Sequence, residues 1–261
     1  MALALPYRSR GSIRTQSAES RAAGRYGDIC LMAADGSEQR LLIRDGIMPR
    51  WSPAGDLVAF ARSPIDFGDA WVARTDGTHV VHVPGGTPSW SPDADWLLVL
   101  TSPAGLVVNV VRPDGSDFRQ LGQGWWNATW SPDGDRIAYA GGRQIVAIDI
   151  DDGSRELLFI APTEQVGPLL WLPGDRLAYA ANDGDLFLVD LVTGTSRALT
   201  DDLAVRGPLA LSPGGDRIAF AAAPGRGISP DVYVASLTSG ALTRLTHTGD
   251  ASEPAWQPAA P

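Results

Sequence analysis

The stretch that decides the fold is TWSPDGDRIAYA, residues 129–140, because the chain repeats it about every forty residues. The other copies are RWSPAGDLVAFA from Arg50, SWSPDADWLLVL from Ser89, LWLPGDRLAYA from Leu170, ALSPGGDRIAFA from Ala210 and, for the first half alone, AWQP from Ala255. Aligned on the first aromatic residue or its replacement, the copies fall at Trp51, Trp90, Trp130, Trp171, Leu211 and Trp256, in steps of 39, 40, 41, 40 and 45 residues. A period near 40 is typical of a β-propeller, in which each repeat forms one four-stranded blade.

Each copy contains the signals of four short strands, here named A to D. Strand A ends at the tryptophan, and Ser131-Pro132-Asp133-Gly134 then has the residue types of a type I turn. Strand B alternates large and small residues, as in IAYA at 137–140, which predicts burial on both faces. Strand C is an apolar, β-branched or aromatic run, and a turn with glycine in a fixed place leads from it to strand D.

The two ends of the chain supply the parts of a sixth blade. Gly11-Ser12-Ile13 is predicted to be its strand B, residues 28–33 its strand C, residues 39–43 its strand D and residues 254–256 its strand A. We therefore expect an all-β, six-bladed β-propeller with four antiparallel strands in each blade, closed by the strand around Trp256 joining the N-terminal strands. The expected organisation is a flexible N-terminus at 1–10, one propeller domain at 11–258 and a tail at 259–261.

The blade motif PxWSPDGxxIAF followed by DGxxxxRLT resembles the TolB-type propeller repeat. That repeat occurs in the C-terminal domain of the periplasmic protein TolB, in the propellers of some prolyl-oligopeptidase relatives and in many bacterial proteins. The resemblance extends from about Gly11 to Pro258 and implies the propeller fold. It does not imply an activity, because the matching residues are turns and core, and because the α/β domain of TolB and the hydrolase domain of the peptidases have no counterpart here.

Composition excludes several classes of function. The 30 acidic residues outnumber the 21 basic ones, all of them arginine, and the net charge of -9 disfavours nucleic acid as a partner. Cys30 is the only cysteine, so no intrachain disulfide is possible. No apolar run has the length of a membrane span or of a signal peptide. The sequence as written predicts a cytoplasmic protein, with a periplasmic or secreted one as the alternative if a signal peptide has been removed.

A propeller enzyme is expected to place its catalytic groups at the central tunnel or on the face where strand A begins, three residues before each aligned aromatic. These positions hold no set of histidines or carboxylates, so we predict neither a metal site nor a cofactor. The sequence also lacks the nucleophile elbow, the zinc-protease helix motif and the phosphate-binding loop. The positions three residues before the aligned aromatics are Met48, Thr87, Asn127, Pro168, Pro208 and Glu253.

Large apolar residues occur in two predicted loops where the repeat does not require them. Trp125 and Trp126, followed by Asn127, precede strand A of the third copy in the loop from D to A, and Ile65 and Phe67 lie in the first loop from B to C. Such residues form either an exposed platform for a partner or a plug that folds into the propeller. The two interpretations stay open at this point.

Three functional hypotheses follow. We favour a non-enzymatic scaffold that binds a protein or peptide through Trp125, Trp126, Asn127, Ile65, Phe67, Arg50 and Arg206. The alternative is a lyase or hydrolase acting on a carbohydrate or small molecule at the mouth of the central tunnel, with His247, Asp250 and Glu253 as catalytic residues. The third is a purely structural ring.

Overall fold

The structure is a computed structural model. It describes residues 3–4, 28–31, 40–62, 69–101, 107–123, 127–163, 165–182, 184–225, 228–247 and 254–256. The first eleven strands in chain order are β1 (Leu3–Ala4), β2 (Asp28–Leu31), β3 (Arg40–Arg44), β4 (Ile47–Trp51), β5 (Leu57–Ala61), β6 (Asp69–Arg74), β7 (Val81–Pro84), β8 (Gly86–Trp90), β9 (Leu97–Thr101), β10 (Val107–Val111) and β11 (Arg119–Gln123).

The remaining strands are β12 (Ala128–Trp130), β13 (Arg136–Gly141), β14 (Gln144–Asp149), β15 (Arg155–Ile160), β16 (Val166–Leu172), β17 (Arg176–Ala181), β18 (Leu186–Asp190), β19 (Thr195–Ala198), β20 (Ala204–Leu211), β21 (Arg217–Ala223), β22 (Asp231–Ser236), β23 (Leu242–Arg244) and β24 (Ala255–Trp256). Within the described part of the chain, no helix has the length and hydrophobicity needed to cross a bilayer.

Five sheets have four strands each, and consecutive strands are neighbours in every one of them. They are β4 to β7, β8 to β11, β12 to β15, β16 to β19 and β20 to β23. Neighbouring strands within these five sheets run antiparallel, and strands A to D of the sequence repeat correspond to the four strands of each sheet. The predicted all-β blades are therefore confirmed for five copies of the repeat.

The chain divides into two compact units. The N-terminal unit contains β2 to β11, and the C-terminal unit contains β12 to β24 together with β1.

Strand B forms the core of each unit because its alternating residues are buried on both faces. In β5, Val58, Ala59, Phe60 and Ala61 are all at most 2% exposed. Phe60 packs in a cluster with Ile29 and the residues around it, whereas Ala59 packs with the residues around Leu97 of the next sheet. The small residue allows the neighbouring sheet to approach closely, and the large one fills the space on the other side.

The prediction of six four-stranded blades is wrong, since the structure has five. Of the segments assigned to the sixth blade, β2 and β3 pair with each other, and β24 pairs with β1, which the prediction did not include in that blade. β24 pairs with Leu3 and Ala4 of β1; residues 11–13, where strand B was predicted, lie outside the described residues.

The pairing of β24 has a physical reason in the register of strands A and B. Leu3 lies opposite Trp256 and Ala4 opposite Ala255, just as Ile137 lies opposite Trp130 and Ala138 opposite Thr129. The sequence Leu3-Ala4 repeats the large and small alternation of strand B, so it fits beside a strand A.

Candidate functional site

The two ends of each four-stranded sheet differ in their construction. We call the end with the A–B and C–D turns the turn end, and the end where strand A begins and strands B and C are connected the loop end. The A–B turn is closed as predicted, because Gly134 N–H donates to the Ser131 carbonyl over 3.0 Å. Gly55, Ala94 and Gly215 make the same bond in their turns.

The serine of the motif has a structural function at the turn end. Ser131 is 1% exposed, its hydroxyl donates to Asp133, and it accepts a bond of 2.9 Å from Arg136 N–H. The Ser131 hydroxyl holds the pKa of the Asp133 carboxyl below its usual range. The buried serines of three further turns, Ser52, Ser91 and Ser212, make the same two kinds of bond. The buried serines of the motif are therefore hydrogen-bonded within their own turns.

A small cleft at the turn end of the C-terminal unit, about 160 Å³ in volume, lies between the A–B turns that follow β12 and β16. The arginine of its wall is already paired, since the Arg136 guanidinium lies 4.9 Å from the centre of the Trp171 ring and 3.1 Å from a Glu156 carboxylate oxygen. This cleft gives no reason to place a ligand at the turn end.

The loop end has irregular backbone where strand A begins. In β4, Ile47 pairs with Ala61 and Arg50 with Ala59, so one extra residue bulges from the strand. β8, β16 and β20 have register shifts at the corresponding place. Met48 and Thr87, both followed by proline, have φ angles of 53° and 51° in these bulges. Non-glycine residues seldom adopt such angles, and bulges occur often beside functional sites.

An aspartate and a threonine fix the loop end of the sheet β16 to β19. The Thr200 hydroxyl donates to Asp185 over 2.8 Å and accepts from Leu186 N–H over 2.9 Å. Leu203 N–H donates to the same Asp185 oxygen over 3.0 Å. The connection from β19 to β20 is thereby tied to the start of β18.

The next sheet, β20 to β23, repeats this arrangement and adds an ion pair. The Thr246 hydroxyl donates to Asp231 over 2.8 Å and accepts from Val232 N–H over 2.9 Å, while Arg244 pairs with the second Asp231 oxygen. Asp231 is 3% exposed. Sequence reasoning missed both networks, although an aspartate just before the apolar run of strand C and a threonine just after strand D were the available signal.

The stems of the first B–C loop, which carries Ile65 and Phe67, are held by a cluster of four side chains. Arg62 N–H donates to the Asp69 carbonyl over 3.3 Å, and the Arg62 guanidinium lies 4.3 Å from the centre of a Trp71 ring. His82 contacts the Asp69 carboxylate at 2.9 Å and packs edge-on against Trp71 at 4.9 Å. His82 thus helps to fix a loop stem, a function that its sequence context did not reveal.

The predicted binding residues fall into two groups. Arg50, Asn127 and Arg206 are described and half-buried. Trp125, Trp126, Ile65 and Phe67 lie outside the described residues, so the choice between platform and plug stays a prediction.

Arg206 lies near the beginning of strand A at the loop end, whereas Arg50 is the next-to-last residue of β4 and lies toward the turn end. The Arg206 guanidinium donates to the Ile228 carbonyl over 3.4 Å, which joins β20 to the B–C loop of its own sheet, where the Ile228 side chain is 48% exposed. The Arg50 carbonyl accepts a bond of 3.0 Å from the Trp90 indole N–H, so its backbone connects two sheets of the N-terminal unit.

Of the catalytic residues in the alternative hypothesis, only His247 is described. It is exposed and follows β23. Asp250 and Glu253 lie outside the described residues, so their convergence with His247 stays untested. Among the described residues, no group of three or more His, Cys, Asp and Glu side chains is arranged to hold a metal ion.

Repeated antiparallel four-stranded sheets, with the strand A tryptophan of one sheet bonded to the sheet before it, define an all-β propeller protein. The chain belongs to the family of the TolB beta propeller domain, whose model matches residues 12–260. A comparison with curated proteins gives no significant match.

Solved structures with different functions share this fold. TolB from Acinetobacter baumannii is 18% identical with a TM-score of 0.70; the match covers 87% of this chain and 62% of TolB. Hydrazine synthase from Kuenenia stuttgartiensis is 16% identical, with a TM-score of 0.60 and coverage of 77% and 66%. Oligogalacturonate lyase from Vibrio parahaemolyticus is 11% identical, with a TM-score of 0.60 and coverage of 84% and 71%. At such identities the likeness shows the fold alone.

Proposed function

We propose that this protein is a non-enzymatic scaffold that binds a protein or peptide through the loops at the loop end of its sheets. The observation that carries the proposal is the side-chain cluster at the stems of the first B–C loop. Arg62, Trp71, His82 and Asp69 anchor both ends of a six-residue segment that contains Ile65 and Phe67. An anchored loop presents its apolar residues at a lower entropic cost on binding than a free one.

The contrast between the two ends of the sheets supports the same assignment. At the turn end, the recurring serine of four repeats makes its hydrogen bonds within its own turn, as Ser131 does with Asp133 and Arg136. At the loop end, the Asp185 and Asp231 networks fix the strand ends, and the residues between those ends are free to vary from copy to copy without loss of the sheet. A binding surface on a repeat protein belongs on such loops.

The proposed contact residues at the loop end are Trp125, Trp126, Asn127, Ile65, Phe67 and Arg206; Arg50, the remaining predicted residue, lies nearer the turn end of β4. Tryptophan and arginine supply a large share of binding energy in protein interfaces, because they combine a large apolar area with polar groups. The chain as a whole carries a charge of -9, which favours a partner without a strong negative charge of its own.

The experiment compares the wild type with Trp125→Ala/Trp126→Ala in affinity capture from a lysate of the source organism, quantified by mass spectrometry. Val192→Ala is the matched control, since Val192 is a large apolar residue that is 79% exposed at the turn end, between β18 and β19. We expect a protein that the wild type and the control retain and that the double variant loses at least tenfold.

Thermal melting of all three proteins precedes the capture. A double variant that melts well below the wild type identifies the two indoles as core residues and overturns their assignment as contacts. Equal capture by all three folded proteins overturns the proposed binding surface. His247→Ala is a further control, because the proposal expects unchanged capture from it, whereas a catalytic function for His247 predicts a loss of activity on a carbohydrate or ester.

A further inference from the structure

We draw no further inference here: the strongest candidate, the outer edge of the sheet β12 to β15, where Leu157 and Ile160 of β15 are 52% and 51% exposed, carries nothing because nothing in the described part of the chain shows what covers it.

Discussion

Ala94 adopts the same left-handed backbone angle as the glycines at its position in three other A–B turns. Gly55, Gly134 and Gly215 have φ angles of 76°, 85° and 69°, and Ala94 has a φ of 66° at the same turn position. The left-handed region costs an L-residue roughly 1–2 kcal/mol. Glycine there loses about 0.5–1 kcal/mol more conformational entropy on folding. The strain is thus the larger of the two effects.

We expect Ala94→Gly to stabilise the protein. The gain is about 0.5 kcal/mol, because the relieved strain exceeds the entropy of glycine and the loss of a half-buried methyl group. The melting temperature should rise by about 1–2 °C. Gly215→Ala is the matched control, since no atom lies within 4 Å of the added Cβ and only the φ of 69° opposes it; it should cost about 1 kcal/mol. A lower melting temperature for Ala94→Gly would contradict this account.

Tyr179 places a titratable hydroxyl inside the C-terminal unit. Its side chain is fully buried, and its ring stacks on Phe187 with the ring centres 5.2 Å apart. Burial raises the pKa of the Tyr179 phenol, an effect that the Thr163 hydroxyl partly offsets. The folded state therefore keeps this proton at pH values where the unfolded chain has lost it.

The free energy of unfolding should fall as the pH rises above about 10, the ordinary pKa of tyrosine, because the unfolded state then binds fewer protons than the folded state. Tyr179→Phe should remove part of this fall. The effect is measurable because the chain has no lysine, so few other side chains titrate between pH 9 and 11. Urea unfolding of both proteins from pH 8 to 11 is the measurement, and parallel profiles would show that Tyr179 does not contribute.

At the scale of strands, arginines of strand D connect neighbouring sheets. Arg40 of β3 donates to the Thr75 carbonyl in the C–D turn of the next sheet, and Arg197 of β19 donates to the Leu237 carbonyl over 3.0 Å in the same manner. A guanidinium presents several donors in a fixed plane, which suits a bond to a carbonyl beyond the edge of its own sheet. The arginines of the repeat are thus part of the packing of sheet on sheet.

The two aspartates at the loop end provide a matched pair for testing how strand C is anchored. Asp231→Asn places an amide N–H₂ or a neutral oxygen against the Arg244 guanidinium, whereas Asp185→Asn keeps an oxygen acceptor for Thr200 and Leu203. We expect a loss of about 2 kcal/mol for Asp231→Asn and less than about 1 kcal/mol for Asp185→Asn. The ionic part should shrink with added salt, since Arg244 is 40% exposed.

Urea unfolding of both variants measures the difference. A double-mutant cycle with Arg244→Ala isolates the ion pair from the bond to Thr246, because it subtracts the effect of each single change. Equal losses for the two aspartates, or a coupling energy of zero in the cycle, would show that the pair with Arg244 does not stabilise the sheet.

For the whole molecule, the features that could be predicted from the sequence are those that recur with a fixed period. The spacing of the tryptophans, the Ser131 turn and the glycines of the C–D turns each repeat, and five four-stranded sheets follow them. The prediction of a sixth blade was wrong because the segments assigned to that blade lie at the two ends of the chain, where no complete copy of the repeat fixes their register. Only the pairing of Leu3 with Trp256 reveals the partner of β24.

In the candidate site, too, the sequence predicts only what can be recognised against the repeat. The loops could be recognised as departures from the repeat, but the residues that hold their ends could not. The contact of Asp69 with His82 joins residues 13 apart through a histidine that other copies replace, and the contact of Asp185 with Thr200, 15 residues apart, recurs in the next copy as Asp231 with Thr246. A contact made in one copy leaves no periodic signal, and a contact made in two copies leaves only a weak one.

The pairing of β1 with β24 makes a prediction about the stability of the C-terminal unit. Leu3→Pro/Ala4→Pro removes both backbone donors of β1, so every ladder bond that they give to Ala255 or Trp256 is lost. Leu3→Ser/Ala4→Ser is the control, because it changes the side chains and keeps the donors. We expect the proline variant to lose about 1–2 kcal/mol of unfolding free energy relative to the serine variant.

Amide exchange at 255 and 256 should be faster in the proline variant, while the exchange within β21, the buried strand B of the same unit, should change less. If exchange at 255 and 256 is the same in both variants, β24 is held by the Trp256 indole bond to the Ala210 carbonyl and by packing, and not by β1.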